Sequence, residues 1–403
     1  MASFQILNIL VEPIKAALAV SDTQYSLMQG LAVAVFAALL GIPAAIIADR
    51  GNRRRVVMVG VMIWSAATVA CGIAQSFGQL FAARMLVGVG EVFLFPAALS
   101  IIADVAPSRR LSSAIGIFGC GGPIGTAFAL IGGGWLMRHQ SLVAGAFPAP
   151  FAEAWRVAFL MCGAQGAVAI GLLLTVPEPR HRSAAGHLQH TVGATAVYLQ
   201  NHWRAYIGVS GGMLALSFCV FATASWSPTV LVRVHGMSYS SAGQLTGYAA
   251  LLGGVVGAWA AGILTDRIEA RGRRDAALRV AAAVSALILL TIIGAVLSAS
   301  AFWAALLLCA TYSLLGMPTV LAGTALQQIT PPAMRAQVMA IQVLLVNLVA
   351  LSLGPLAVAL LTDHVFGRPQ AVGYALAWAD GVGALAAIMA LVASRRRFSQ
   401  QRF

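Results

Sequence analysis

Ser21, Gly30, Asp49 and Arg50 recur as Ser238, Gly247, Asp266 and Arg267, each at the same offset of 217 residues (238 minus 21, and likewise for the others). In both copies an apolar stretch longer than a soluble core helix separates the serine from the Asp-Arg pair. A fixed-offset duplication in so apolar a chain implies two similar halves made of membrane-crossing helices, the plan of a secondary transporter.

Composition narrows the choice further. The chain is 60% hydrophobic and 9% charged, against roughly 25% charged residues in a soluble domain. A helix needs about 20 apolar residues to cross about 30 Å of hydrocarbon. With short connectors, the 403 residues hold about twelve such spans. A membrane β-barrel needs alternating polarity, which continuous runs such as Leu287 to Leu297 exclude.

The net charge of +13 does not point to nucleic acid, because of where the arginines stand. They cluster in alternate short connectors: Arg50 to Arg55, Arg109 and Arg110, Arg180 and Arg182, Arg267 to Arg274, Arg335, and Arg395 to Arg397. The connectors between carry only Lys15, Arg138, Arg233 and Arg368. This alternation is the positive-inside pattern and places the arginine-rich loops and the C-terminus in the cytoplasm. A nucleic-acid surface would gather the charge on one soluble element. The five cysteines all fall in apolar spans and read as packing residues. The histidines show no metal-ligand spacing, so neither a metal nor a cofactor is expected. No Ser-His-Asp set or comparable acid-base group suggests an enzyme.

The spans are expected at about 21–48, 56–76, 79–105, 111–137 and 155–175, then at about 204–226, 240–264, 276–298, 302–328, 336–361 and 371–393. Residues 1–19 add a first helix with too few residues before Glu12 for a full crossing, so helix 1 is expected to be incomplete. The expected fold is an all-α membrane protein of two six-helix bundles, 1–175 and 204–395, related by a pseudo-two-fold axis. A polar cytoplasmic linker, 176–203, joins them, and 396–403 forms a cytoplasmic tail. Ser21 with Gln24 has the spacing of a capping box opening helix 2.

Helix 4 carries R84-M-L-V-G88-V-G90-E91. Arg84 and Glu91 lie deep in an apolar span, where each costs roughly 2.5–3.5 kcal/mol to insert. Seven residues put them on one helix face, about 10 Å apart along the axis. Each is therefore expected to have its own partner on another helix, with Glu91 able to carry a proton. Asp380 is a further intramembrane charge, or else one that reaches the outer interface.

The stretch G41-I-P-A-A-I-I-A-D49-R50-G-N-R53-R-R resembles the signature of the major facilitator superfamily, and AGILTDRIEARGRR around Asp266 is a weaker copy. Arg84-x-x-x-Gly88-x-Gly90 resembles the helix-4 motif of the same superfamily. The resemblance implies a cytoplasmic latch formed by Asp49, Arg50, Arg53, Asp104, Asp266 and Arg267. A carboxylate there would meet a helix N-terminus, a contact of roughly 0.3–1 kcal/mol. Helices 1, 4, 7 and 10 usually line the centre of that fold. This implies cavity positions at Gln5, Asn8 and Glu12; Phe93 and Phe95; Ser217, Phe221 and Trp226; and Tyr312, Thr319 and Thr324.

ILNILVEPIK, SDTQYSLMQG, ADRGNRRRVV and RMLVGVGEVFLFPAALSIIADVAPSRR together resemble the bacterial spinster branch. That resemblance implies a lysophospholipid- or sphingoid-like cargo, proton coupling, and substrate- and proton-linked roles for Arg84 and Glu91, with Glu12 beside them. The alternative cargo is a small organic anion or a hydrophobic drug. The implied setting is a monomer in a bacterial inner membrane. There is one departure: Ser3 and Phe4 stand where the branch usually has an Asp-Arg pair.

Overall fold

The computed structural model describes residues 2–36, 39–40, 43, 47, 52–105, 111–148, 151–175 and 188–401. Among these every regular element is helical, and ten helices are long and apolar enough to cross a membrane. Large side chains such as Trp259, Phe302 and Trp378 are each more than 60% exposed, a surface that only a bilayer solvates well. The chain divides into two compact units, Met1–Ala185 with Ser238–Gly247, and Gly186–Met237 with Tyr248–Phe403.

The first unit begins with a broken helix: α1 (Ala2–Gln5), a 3-10 turn (Ile6–Ile9) and α2 (Val11–Leu18). Pro13 accounts for the break, because its ring clashes with the carbonyl four residues earlier, that of Ile9. α3 (Asp22–Ser26) opens with the capping box expected at Ser21: Gln24 N donates to Ser21 Oγ at 3.1 Å, and Ser21 N donates to Gln24 Oε1 at 3.0 Å. The helix then widens into a π-helical turn, Leu27–Leu31, that the sequence does not announce. α4 (Arg53–Ile73) is capped by Asn52, which accepts from Arg55 N at 2.8 Å. α5 (Phe77–Val105), α6 (Leu111–Arg138), the short α7 (Gln140–Ala146) and α8 (Ala154–Thr175) complete this part. α4 packs along both α5 and α8.

In the second unit the segment 176–203 is not wholly irregular: α9 (Leu188–Asn201) lies within it. Its Tyr198 donates to Ile329 O at 3.2 Å, alongside Tyr206, which donates to the same oxygen at 3.0 Å. The stretch expected as a linker thus contains a helix, anchored through Tyr198. α10 (Trp203–Arg233) is the central helix, packed on α17 (Val372–Gln401). α11 (Tyr239–Ala270) starts at Ser238, whose Oγ accepts from Ser241 N at 3.1 Å. The repeated serine therefore performs the same cap twice.

α12 (Ala276–Leu297) follows. The span expected over 302–328 is two helices, α13 (Ala301–Leu315) and α14 (Pro318–Gln328), since Pro318 suits a first helical position better than an interior one. The next span is α15 (Arg335–Leu345) and α16 (Leu351–Leu360), joined by a π-helical turn at Val346–Ala350 and ended by another at Leu361–Phe366.

Asp275, just before α12, ties that helix to α17. Its Oδ1 accepts from Arg279 Nε at 2.7 Å and its Oδ2 from Arg395 Nε. Burial alone would raise its carboxyl, but the hydrogen bonds and charge of Arg279 and Arg395 outweigh it and hold the pKa below the ordinary 3.8. A carboxylate depressed in the folded state stabilises above its unfolded pKa, and the gain is lost as pH falls through the folded value. Asp275→Asn is thus expected to lower the thermal midpoint in detergent at pH 7, by a margin that closes as both proteins are taken below pH 3.8. A margin independent of pH would refute the ion-pair account.

Candidate functional site

Gly88 and Gly90 explain how a cation is seated in the first unit. A Cβ on Gly88 would lie 2.8 Å from Val33 O, and one on Gly90 would lie 2.7 Å from Trp64 Cα. α5 therefore touches the backbone of the helix begun by α3 on one side and of α4 on the other, as only glycine permits. One turn earlier, Arg84 enters the space so framed and is fully buried.

Its guanidinium meets main-chain oxygens: Nη1 donates to Ser3 O at 3.0 Å, and Nε reaches Met28 O at 3.5 Å. Phe4 lies under it, 5.8 Å from Cζ to ring centroid. Nη2 has no hydrogen-bond partner among the described residues, and Arg84 makes no ion pair among them. Trp64 Nε1 donates to Ser3 Oγ at 2.7 Å, fixing the strand of chain that carries the acceptor. Arg84 thus does have its partners on other segments, but they are carbonyls and not a carboxylate.

Next to this seat stands a chain of amides. Gln29 Nε2 donates to Asn8 Oδ1, and Asn8 Nδ2 donates to Gln5 Oε1 at 2.6 Å. Tyr25 donates to Leu7 O at 2.5 Å and lies within electrostatic reach of Arg84, Glu12 and Asp22. Lys15 pairs with Asp22 near the turn between α2 and α3. Glu12 and Glu91 are both half-buried, Glu91 on α5 seven residues beyond Arg84. Phe93 is half-buried beside Gly60 of α4.

The other expected positions are placed as follows. Asp49 and Arg50 lie outside the described residues, as do the side chains of Phe95 and Asp104. Arg53 is buried at the start of α4, whereas Asp266 and Arg267 are exposed near the end of α11. In the second unit Ser217 donates back to Met213 O at 2.8 Å, and Phe221 is half-buried. Trp226 is 1% exposed and donates to Pro355 O at 3.0 Å. Tyr312 meets Ser227 at 2.9 Å. Thr324 is half-buried and Thr319 exposed. The structure thus gathers Gln5, Asn8 and Arg84 into one region of the first unit; Trp226 and Tyr312 instead form interhelical bonds. Of the two readings of Asp380, the intramembrane one matches its full burial in α17.

The family model for the Major Facilitator Superfamily matches residues 1–355. The chain belongs to this superfamily. Among curated proteins, this superfamily member is 29% identical over 373 residues to an MFS-type efflux pump of Mycolicibacterium smegmatis, covering 92% of its own length and 83% of the pump's. It is 24% identical over 251 residues to a probable sphingolipid transporter, spinster homolog 3 of Arabidopsis thaliana, covering 54% of itself and 46% of that protein. Among solved structures it resembles a bacterial homologue of the human lysosomal transporter Spinster in an inward-facing, occupied conformation. The TM-score is 0.79 and the identity 25%, over 100% of this chain and 94% of that one. It is therefore an integral membrane transporter and not an enzyme.

Sequence reading missed Trp64, Gln29 and Ser227. A hydrogen-bonding side chain inside an apolar span is a usable signal, and all three met it. The acceptors on Ser3 and Met28 carried no signal, because a main-chain oxygen is present at every residue.

Proposed function

We propose that this transporter moves an amphipathic, lipid-like molecule with an anionic head by proton-linked alternating access. The observation that carries the reading is the Arg84 seat, a buried guanidinium with carbonyl acceptors and a spare Nη2. Carbonyl dipoles offset only part of a buried full charge, and an anion completes it with a charge-assisted bond. The amide chain ending at Gln5 supplies neutral polar contacts beside it. Similarity to the Arabidopsis spinster homolog, a probable sphingolipid transporter, supports a lipid cargo. Export of a hydrophobic drug or small organic anion is the second reading, favoured by the mycobacterial efflux pump.

Glu91 is the proton-linked group in this scheme, with Glu12 as a further contributor. At about 10 Å and an effective dielectric of about 20, its charge acts on Arg84 with about 1.7 kcal/mol. Protonation would remove that competing charge and strengthen Arg84's hold on an anion. Asp49, Arg50, Arg53, Asp104, Asp266 and Arg267 form the latch of one state, on the arginine-rich side. We place the protein as a monomer in a bacterial inner membrane with its C-terminus in the cytoplasm, and the two bundles as residues 1–175 and 204–395.

Proteoliposomes separate the readings. Uptake of a fluorescent lysophosphatidylglycerol should exceed that of benzoate or ethidium and should respond to an imposed pH gradient. Glu91→Gln should flatten the pH dependence. A parent-like pH profile in that variant would remove Glu91 from coupling, and preference for benzoate or ethidium would replace the lipid reading.

A further inference from the structure

The second unit holds a carboxylate that the Arg84 scheme does not use. Asp380 lies on α17 about 12 Å along the axis from Val372, inside a helix apolar enough to span the membrane. It is fully buried. Thr223 on α10 donates to its Oδ2 at 2.6 Å, while Oδ1 has no hydrogen-bond partner among the described residues. Cys219, one turn before Thr223, directs its thiol to the main-chain oxygen of Asp380 at 3.6 Å.

Gly383 brings the two helices together at this level, since a Cβ there would lie 2.7 Å from Cys219 Sγ. The groups that act on the Asp380 carboxyl are the Thr223 hydroxyl and the Cys219 side chain. α12, which also packs on α17, has Arg279 as its one charged residue, and Arg279 is bound to Asp275. α16 carries no charged residue, and the π-helical turn after it carries Asp363 and His364.

Among the described residues an ionised carboxylate in this place would face the Thr223 hydroxyl and the Cys219 thiol but no cation, with Oδ1 lacking a hydrogen bond, and burying a charge so poorly paired is far dearer than burying a neutral acid. With a proton on Oδ2 the same 2.6 Å contact runs from Asp380 to Thr223. Oδ1 then remains as a carbonyl-type oxygen, which tolerates a missing partner better than an anion does. We propose that Asp380 is a proton-binding site of the second unit, separate from Glu91, which holds its proton while α10 and α17 are in contact through Thr223. Its ligand is a single proton, taken up from water by the carboxylate and bound as the carboxylic acid. The proposal does not depend on the nature of the cargo or on the role of Glu91.

Infrared spectroscopy of the full chain in lipid nanodiscs at pH 7 tests this without any cargo. A protonated-carboxyl C=O band is expected in Glu91→Gln, and it should be lost in the double variant Glu91→Gln with Asp380→Asn. In Glu91→Gln with Thr223→Val the band should persist but move to higher frequency, as the hydrogen bond to Thr223 is removed. A band with unchanged intensity after Asp380→Asn overturns the site. A band unmoved by Thr223→Val overturns the pairing, and this arm remains decisive where Asp380→Asn fails to fold.

Discussion

Gly90→Leu is expected to yield no folded protein, and Gly90→Ala a protein with a clearly lowered thermal midpoint. A Cβ at residue 90 would press on Trp64 Cα at 2.7 Å, and on Trp64 Cβ at the same distance. The first of these is backbone, so no rotamer change relieves it; α4 and α5 must part. Overpacking of this kind costs about 1–3 kcal/mol for one added methyl group, and a branched side chain multiplies the displacement. The loss would extend beyond packing, because Trp64 also holds Ser3 through its indole N–H. Gly78→Ala on the same helix is the control, since a Cβ there meets nothing within 4 Å. Detergent melts read by fluorescence-detected size exclusion compare the two. Equal midpoints for Gly90→Ala and Gly78→Ala would show that the close approach of α4 and α5 is not required.

Arg84→Met is expected to weaken binding and transport of an anionic cargo sharply while leaving the fold as stable as before, or more so. A buried ionic group replaced by an apolar one of similar length is often neutral or stabilising, and Met retains the stem that packs over Phe4. The anion contact is a different matter. A hydrogen bond to a charged group is worth about 1.5–3 kcal/mol, so affinity for an anionic lysolipid should fall roughly ten- to hundredfold. Arg84→Lys should recover only part of this, because one ammonium cannot serve Ser3 O, Met28 O and an anion with the fixed fork of a guanidinium. Binding by quenching of intrinsic fluorescence, with melts in parallel, separates the two effects. A variant that loses stability and affinity together would mark Arg84 as an architectural clamp instead.

Local chemistry made much of this structure legible before any coordinates. The serines at 21 and 238 specified two caps, and both formed. The apolar runs specified where most spans begin and end. The depth of Arg84 in an apolar span pointed to a cation that must find partners within the protein, and it is fully buried. Other features escaped for definite reasons. The π-helical turns at Leu27–Leu31 and Val346–Ala350 insert a residue into sequence that reads as unbroken helix, and only packing decides where. The break before Pro318 was readable from proline chemistry but hidden inside a long apolar run. For Asp380, linear position leaves both an intramembrane and an interfacial reading open and names no facing partner. The partners of Arg84 were illegible in principle, being main-chain atoms.

Main-chain acceptors change how the protein tolerates mutation. Since Ser3 and Met28 hold Arg84 through their carbonyl oxygens, replacing either side chain cannot delete the acceptor. Position 28 is therefore constrained by its buried packing alone, whereas position 3 also carries the hydroxyl that accepts from Trp64. In a library randomised at 28 and 84 and selected for transport, diversity should collapse to arginine at 84 while several apolar residues of similar size survive at 28.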